Sequence, residues 1–205
     1  MADYIDLGAE TKEAFAISEK SRMLARGIIG NETPEDRVRQ RCSVAVGDFA
    51  MADLMRFLHS PVEAGLAALG AGAPIITDIR MVTVGIQKKG HHSGVLCALD
   101  YGEDLAIQRQ ITRTSAGFLA LEPQLSGSIV VIGNAPSALL VVCECMRKGI
   151  IPALIIGTPV GFVNAAESKE MLRTFLVPSI SNEGTRGGTP IAVAAMNEII
   201  TMFAE

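Results

Sequence analysis

The 205-residue chain is 49% hydrophobic and 20% charged, with 20 glycines and a formal net charge of −4, a globular composition long enough to bury a full core in one domain. The acidic balance argues against nucleic acid or an acidic membrane as the main partner, and no apolar run approaches the roughly 18 residues of a membrane span. Met1–Asp6 lacks the basic and apolar regions of a signal peptide, so a cytoplasmic location is expected.

The first expected element is a helix over 9–26, with Ala14, Phe15, Ile17, Met23 and Leu24 set among charges and Gly27 near its end. Thr33 is placed to cap a second helix, with Pro34 in its first position and Glu35 and Asp36 in its first turn. Val38, Cys42, Ala45 and Phe49 repeat at helical spacing. Gly47-Asp48 is a candidate break, beyond which 50–58 is expected to continue as helix. Ser60-Pro61 opens a third helix running to Leu69.

From here the pattern changes. Ala73–Asp78 reads as a strand, Asp78–Gly85 as a connecting segment, Gly94–Leu99 as a second strand, and Glu103–Leu121 as one helix with Leu105, Ile111, Ala116 and Leu119 toward the core. Ile129–Ile132 is a run of four apolar residues, the mark of a strand buried on both faces of a parallel sheet. Gly133 permits a sharp turn, Asn134 can cap a helix, and Pro136 suits a first helical turn. The helix that follows runs to Lys148 and stops at Gly149. Ile151–Ile156 and Val177–Ser181 are further strands, with a helix over 165–174 between them. Thr189-Pro190 opens a last helix with Ile191, Ala195, Ile199 and Met202 on one face. Five strands alternating with helices, after a helical N-terminal third, predict an α/β fold with a mostly parallel five-stranded sheet between two helical layers, as one domain over 1–205.

In such folds, sites lie at the carboxyl ends of strands. Four turns qualify: Asp78 onward, Gly133–Pro136, Gly157–Phe162 and Gly184–Thr189. Three of them introduce a helix N-terminus, where unpaired N–H groups favour anions. Several such turns on one edge suit a ligand with several carboxylates. None carries a phosphate-loop or dinucleotide fingerprint. Arg113, in Thr112-Arg-Thr-Ser115, can be an anion anchor or a solvated arginine on a helix face; Arg186 poses the same choice in a loop. The cysteines (Cys42, Cys97, Cys143, Cys145) and histidines (His59, His91, His92) show no metal-ligand spacing, and inert buried thiols are expected. No Ser/His/Asp set with a nucleophile turn is present.

Several segments together identify a family. Ala71–Asp78 with Met81-Val82 and Gly85, Thr112-Arg113, Gly127–Leu139, Gly157–Lys169, and Gly184–Pro190 with Asn197 resemble precorrin-8X methylmutase (precorrin isomerase), in family order over nearly the whole chain. The resemblance implies a flavodoxin-like three-layer sandwich, a homodimer, and a methyl migration from C-11 to C-12 of a precorrin or cobalt-precorrin ring without a cofactor or metal. The partner it implies is a polycarboxylate tetrapyrrole, precorrin-8 or cobalt-precorrin-8. Together with the strand-edge turns it points to Asp78, Met81, Val82, Thr112, Arg113, Asn134, Ala135, Pro136, Gly161 and Phe162 as substrate-binding residues. It implies no catalytic residue, because this chain departs from the family: where the pattern has a histidine on the second helix, the ungapped match gives Val44, and a family serine on the first helix matches Ala14. A methylmutase-type isomerase is therefore the expectation, and a related corrinoid-binding or carrier protein without isomerase activity is the alternative.

Overall fold

The computed structural model describes Ala9 and residues 11–205; the Met1–Asp6 stretch lies outside the described residues. Among the described residues the middle layer is a six-stranded sheet: β1 (Met55–Leu58), β2 (Ile75–Thr77), β3 (Val95–Cys97), β4 (Ile129–Ile132), β5 (Leu154–Gly157) and β6 (Ser179–Asn182). The strand order is β1-β6-β5-β4-β2-β3. The pairings from β3 across to β6 are parallel, and β1 adds to β6 antiparallel. Taken without β1, the parallel strands follow the flavodoxin-like order 2-1-3-4-5. The winding therefore reverses between β2 and β4, which opens a crevice at their carboxyl ends.

The helices are α1 (Lys12–Ile29), α2 (Pro34–Val46), α3 (Met51–Leu54), α4 (Pro61–Gly70), α5 (Arg80–Gly85), α6 (Glu103–Arg109), α7 (Arg113–Ala120), α8 (Glu122–Leu125), α9 (Pro136–Arg147), α10 (Ala165–Leu172) and α11 (Thr189–Ala204). Strand alternation assigns them to layers. Ile129 and Val131 of β4 pack with Val62 of α4, Val82 of α5 and Ile191, Ala195 and Ile199 of α11. Val130 and Ile132 face the other way, onto Phe118 of α7, Leu139, Val142 and Met146 of α9, and Leu172 of α10. All four β4 side chains are fully buried, each worth roughly 1.5–3 kcal/mol relative to exposure. Helix α11 is buried nearly all round because α2 covers its outer side and α1 packs on α2. No described helix is long and apolar enough to cross a membrane.

Three local expectations need correction. Residues 50–58 do not continue as one helix: Gly47 adopts the left-handed conformation that ends α2, α3 is a single turn, and Met55–Leu58 becomes an edge strand. Its tertiary partners decide this, since Arg56 pairs with Glu183 of the loop after β6 and Phe57 lies under Arg39 at 4.6 Å. The helix expected over 103–121 is two helices, because Gln110 turns left-handed at φ 52° and Thr112 caps α7 by accepting from the Ser115 N–H. The Asp78–Gly85 connection contains α5.

Helix α7 is drawn unusually close to the turn after β3. A Cβ on Gly117 would lie 1.9 Å from the Ala98 carbonyl oxygen, inside any tolerable contact, so only glycine fits there.

Candidate active site

The crevice between β2 and β4 is organised by Asp78. Its Oδ2 accepts from the N–H groups of Asn134 (2.7 Å) and Ala135 (2.8 Å), and its Oδ1 from those of Ile79 (3.0 Å) and Gly133 (3.3 Å). The carboxylate is fully buried. Burial pushes its pKa up, while the four backbone donors pull the other way. Asn134 is therefore not the cap of α9: the N-cap is Ala135, with no side-chain cap bond, and Asp78 satisfies the turn from across the sheet.

Around this point the expected substrate residues separate into two groups. Asp78, Val82 and Ala135 are buried, and Val82 belongs to the core beneath α5. Met81, Thr112, Arg113, Asn134 and Phe162 are exposed, and Pro136 and Gly161 are half-buried. Phe162 is 94% exposed. Arg113 is not mid-helix but the first residue of α7, where Nη2 donates to the Leu99 carbonyl at 3.3 Å. The Thr112 hydroxyl lies 2.9 Å from that of Ser137, which ties α7 to the first turn of α9. Arg113 is thus exposed at the head of α7, next to the first turn of α9, with guanidinium donors beyond the one bonded to Leu99. Exposed Met81, Val84, Val160 and Val163 add apolar surface at the same edge.

A second feature lies beside this edge. A cleft of about 550 Å³ runs between α1 and α2, lined by Ala14, Ile17, Ser18, Ser21, Arg22, Arg41, Val44 and Ala45, with Ala9 at one end. The two positions at which this chain departs from the family pattern, Ala14 and Val44, therefore face one cavity. Arg186 in the loop after β6 pairs with Asp48, just past the end of α2. The Cys42 thiol donates to the Ile191 carbonyl in the first turn of α11. These contacts hold the Val44 end of α2 at the carboxyl edge of the sheet.

Arginines and a buried glutamate meet at the base of the cleft. Glu198, fully buried on α11, is reached by Arg22 of α1 and by Arg37 (2.9 Å) and Arg41 (3.8 Å) of α2. Arg37 also pairs with Glu205 at 2.7 Å. Burying so polar a cluster is tolerable only because each charge is paired. Sequence reading missed these residues. The signal was there: a glutamate inside the apolar run of α11, and Arg37 and Arg41 four apart on one helix face.

The loop after β6 is fastened from below by Lys169. This fully buried lysine donates to the Arg186 carbonyl (2.6 Å) and to Asn182 Oδ1 (3.3 Å). Burial, with Arg173 nearby, pushes its pKa down to about 8 from 10.5. Between those values the unfolded chain binds the extra proton, so the stability contributed by this position rises with pH. The urea stability of the parent minus that of Lys169→Met is expected to grow by up to about 3 kcal/mol from pH 7 to pH 10; a flat difference would show that burial does not lower the Lys169 pKa.

The histidines lie away from this edge. His59 follows β1, whose end pairs with the start of β6, and the His91 ring bonds to the Gln87 carbonyl and the Ser93 N–H, ahead of β3. All four cysteines are buried and free; burial pushes the Cys143 thiol up to about 12. Among the described residues no group of His, Cys, Asp and Glu could hold a metal ion.

Comparison with known proteins bears on the whole chain. The family model for CbiC, precorrin-8X methylmutase, matches residues 16–202. The cobalt-precorrin-8 methylmutase of Methanocaldococcus jannaschii is 38% identical over 207 residues, covering 95% of this chain and 96% of the relative. The cobalamin biosynthesis protein CbiHC of Archaeoglobus fulgidus is 38% identical over 196 residues. This chain spans 41% of that longer protein, and 95% of the chain is matched. The crystal structure of the precorrin-8x methyl mutase from Thermus thermophilus superposes with a TM-score of 0.85 at 37% identity, over 93% of this chain and 96% of that one.

Proposed function

We infer function from one premise: the chain belongs to the precorrin-8X methylmutase family. On that premise it is an isomerase of cobalamin biosynthesis that moves a methyl group from C-11 to C-12 of precorrin-8X or its cobalt form. The family match over 16–202 is the observation that carries the reading, and the site chemistry agrees with it. Exposed Met81, Val160 and Phe162 offer apolar surface for the face of a macrocycle. Arg113 and Arg41 offer guanidinium donors for its acetate and propionate groups. Site residues come from both ends of the chain, which supports reading 1–205 as one domain.

The reaction is intramolecular, so the protein's work is to bind the ring, hold the migrating methyl and its acceptor carbon in reach, and exclude competing proton transfers. Val44 cannot give or take a proton. In this chain the rate enhancement therefore rests on orientation and on charge neutralisation at the rim. We read the protein as a cytoplasmic homodimer. Exposed Met23, Leu24 and Ile28 on α1 support a self-association surface, and sedimentation at twice the chain mass is the expected result.

Purified protein mixed with precorrin-8X, and separately with its cobalt form, is expected to convert at least one of them to the rearranged corrinoid, followed by absorbance. Binding without conversion would make the chain a corrinoid-binding or carrier protein; no binding of either would overturn the tetrapyrrole reading. Arg113→Ala is expected to raise KM about 10- to 100-fold with little change in kcat, the loss of one charge-assisted contact made equally in ground and transition states. An unchanged KM would remove Arg113 from the site.

A further inference from the structure

Doubly wound folds bind ligand anions where strand order reverses, on successive backbone N–H groups that form a concave nest. This chain has that nest, made by Gly133, Asn134 and Ala135 at the β2–β4 crevice, and the nest is occupied from within. Both Asp78 oxygens are saturated by four N–H donors, as many as a carboxylate has lone-pair sites, and its side chain is sealed from solvent. Outside the plug the turn presents Asn134, exposed, and Pro136, half-buried. Arg113 on α7 keeps guanidinium donors beyond its bond to the Leu99 carbonyl. A carboxylate arriving at this edge finds its backbone nest filled and a side-chain cation one step further out.

We propose that Asp78 is a positioning residue that closes the switch-point nest against external carboxylates, so that the substrate's ring lies over the Gly133–Pro136 turn and its acid side chains are turned to the arginines at the rim. The plug follows from the hydrogen bonds alone; its consequence for substrate orientation rests on the isomerase reading above. An open nest would compete with Arg113 for the same carboxylates and hold the ring displaced from the apolar surface.

The test empties the nest. Asp78→Ala leaves three or four N–H groups around a carboxylate-sized space, which formate can refill. Rising formate at constant ionic strength, set with chloride, is expected to raise the thermal midpoint of Asp78→Ala saturably while leaving the parent unchanged. No shift, or an equal shift in the parent, would overturn the plug. If Asp78→Ala does not fold in plain buffer, its refolding yield with and without formate becomes the readout, and absence of rescue again refutes it. Asp78→Asn fills the space but points an NH₂ at N–H groups, so formate is expected not to stabilise it; stabilisation would count against the plug. With substrate, Asp78→Ala without formate is expected to lose about tenfold or more in kcat while KM does not rise, the pattern of unproductive binding, and formate is expected to restore kcat. A raised KM that formate does not lower would show a merely structural Asp78. Because the formate arm uses no substrate, it stands even if the parent proves to have no isomerase activity.

Discussion

Val44→His is expected to raise kcat/KM for methyl migration about 10²–10⁴-fold, the usual worth of one positioned proton-transfer group. Val44 is 40% exposed and lines the α1–α2 cleft together with Ser18, Ser21 and Arg41. A histidine at this position would present its ring to the cavity without displacing core. Arg41 lies three residues earlier on the same helix, so the neighbouring cation would lower the imidazole pKa and keep a neutral fraction near pH 7. The gain should therefore come with an inflection in the pH–rate profile that is expected to be absent from the parent's. Val44→Gln, similar in reach but unable to transfer a proton, should give neither. Equal rates for parent and Val44→His, with no inflection, would show that the cleft does not meet the reacting part of the ring. Ala14→Ser faces the same cavity, and pairing it with Val44→His measures how far the two departures act together.

Gly117→Ala is expected to cost about 3 kcal/mol or more and to deprive the protein of substrate binding as it does so. The added methyl would meet the Ala98 carbonyl carbon at 2.6 Å as well as its oxygen. Both partners are backbone and cannot swing aside as a flexible side chain would. Overpacking of this kind ordinarily costs 1–3 kcal/mol and more where nothing can yield. If the chain survives by pushing α7 outward, the Arg113 bond to Leu99 and the Thr112–Ser137 contact go with it, and KM should rise more than the global loss of stability explains. A variant as stable as the parent would mean that α7 does not sit as close to the β3 turn as this structure has it. Urea unfolding at constant m-value decides the first part and steady-state kinetics the second.

Much of the architecture was legible where local signals agree. Thr33 caps α2 in reciprocal hydrogen bonds with Asp36, and Pro34 takes its first position, where residues of these types belong. The run Ile129–Ile132 is the central strand within its expected bounds, and Gly133 and Pro136 turn it into α9 as read. Where local signals conflict, tertiary partners chose. Met55–Leu58 has no period long enough to separate strand from helix, and its pairing with β6 decided it. Thr112 at the head of α7 offered a cap signal that the apolar residues around it hid.

For the site, residue chemistry was legible and pairing was not. The sequence by itself determined that four small-residue turns end parallel strands, that Arg113 is a candidate anion anchor, and that positions 14 and 44 carry no polar group. Only the tertiary structure decided that Asp78, 55 residues from Gly133, already fills the nest those turns create. It also decided that Arg22 reaches Glu198 across 176 residues to form the base of a cleft into which Ala14 and Val44 both open. The physical reason is range. Caps, turns and strand runs are governed by neighbours within a few residues, whereas a buried charge is stable only with partners brought from elsewhere in the chain, and their identity is set by how the layers pack.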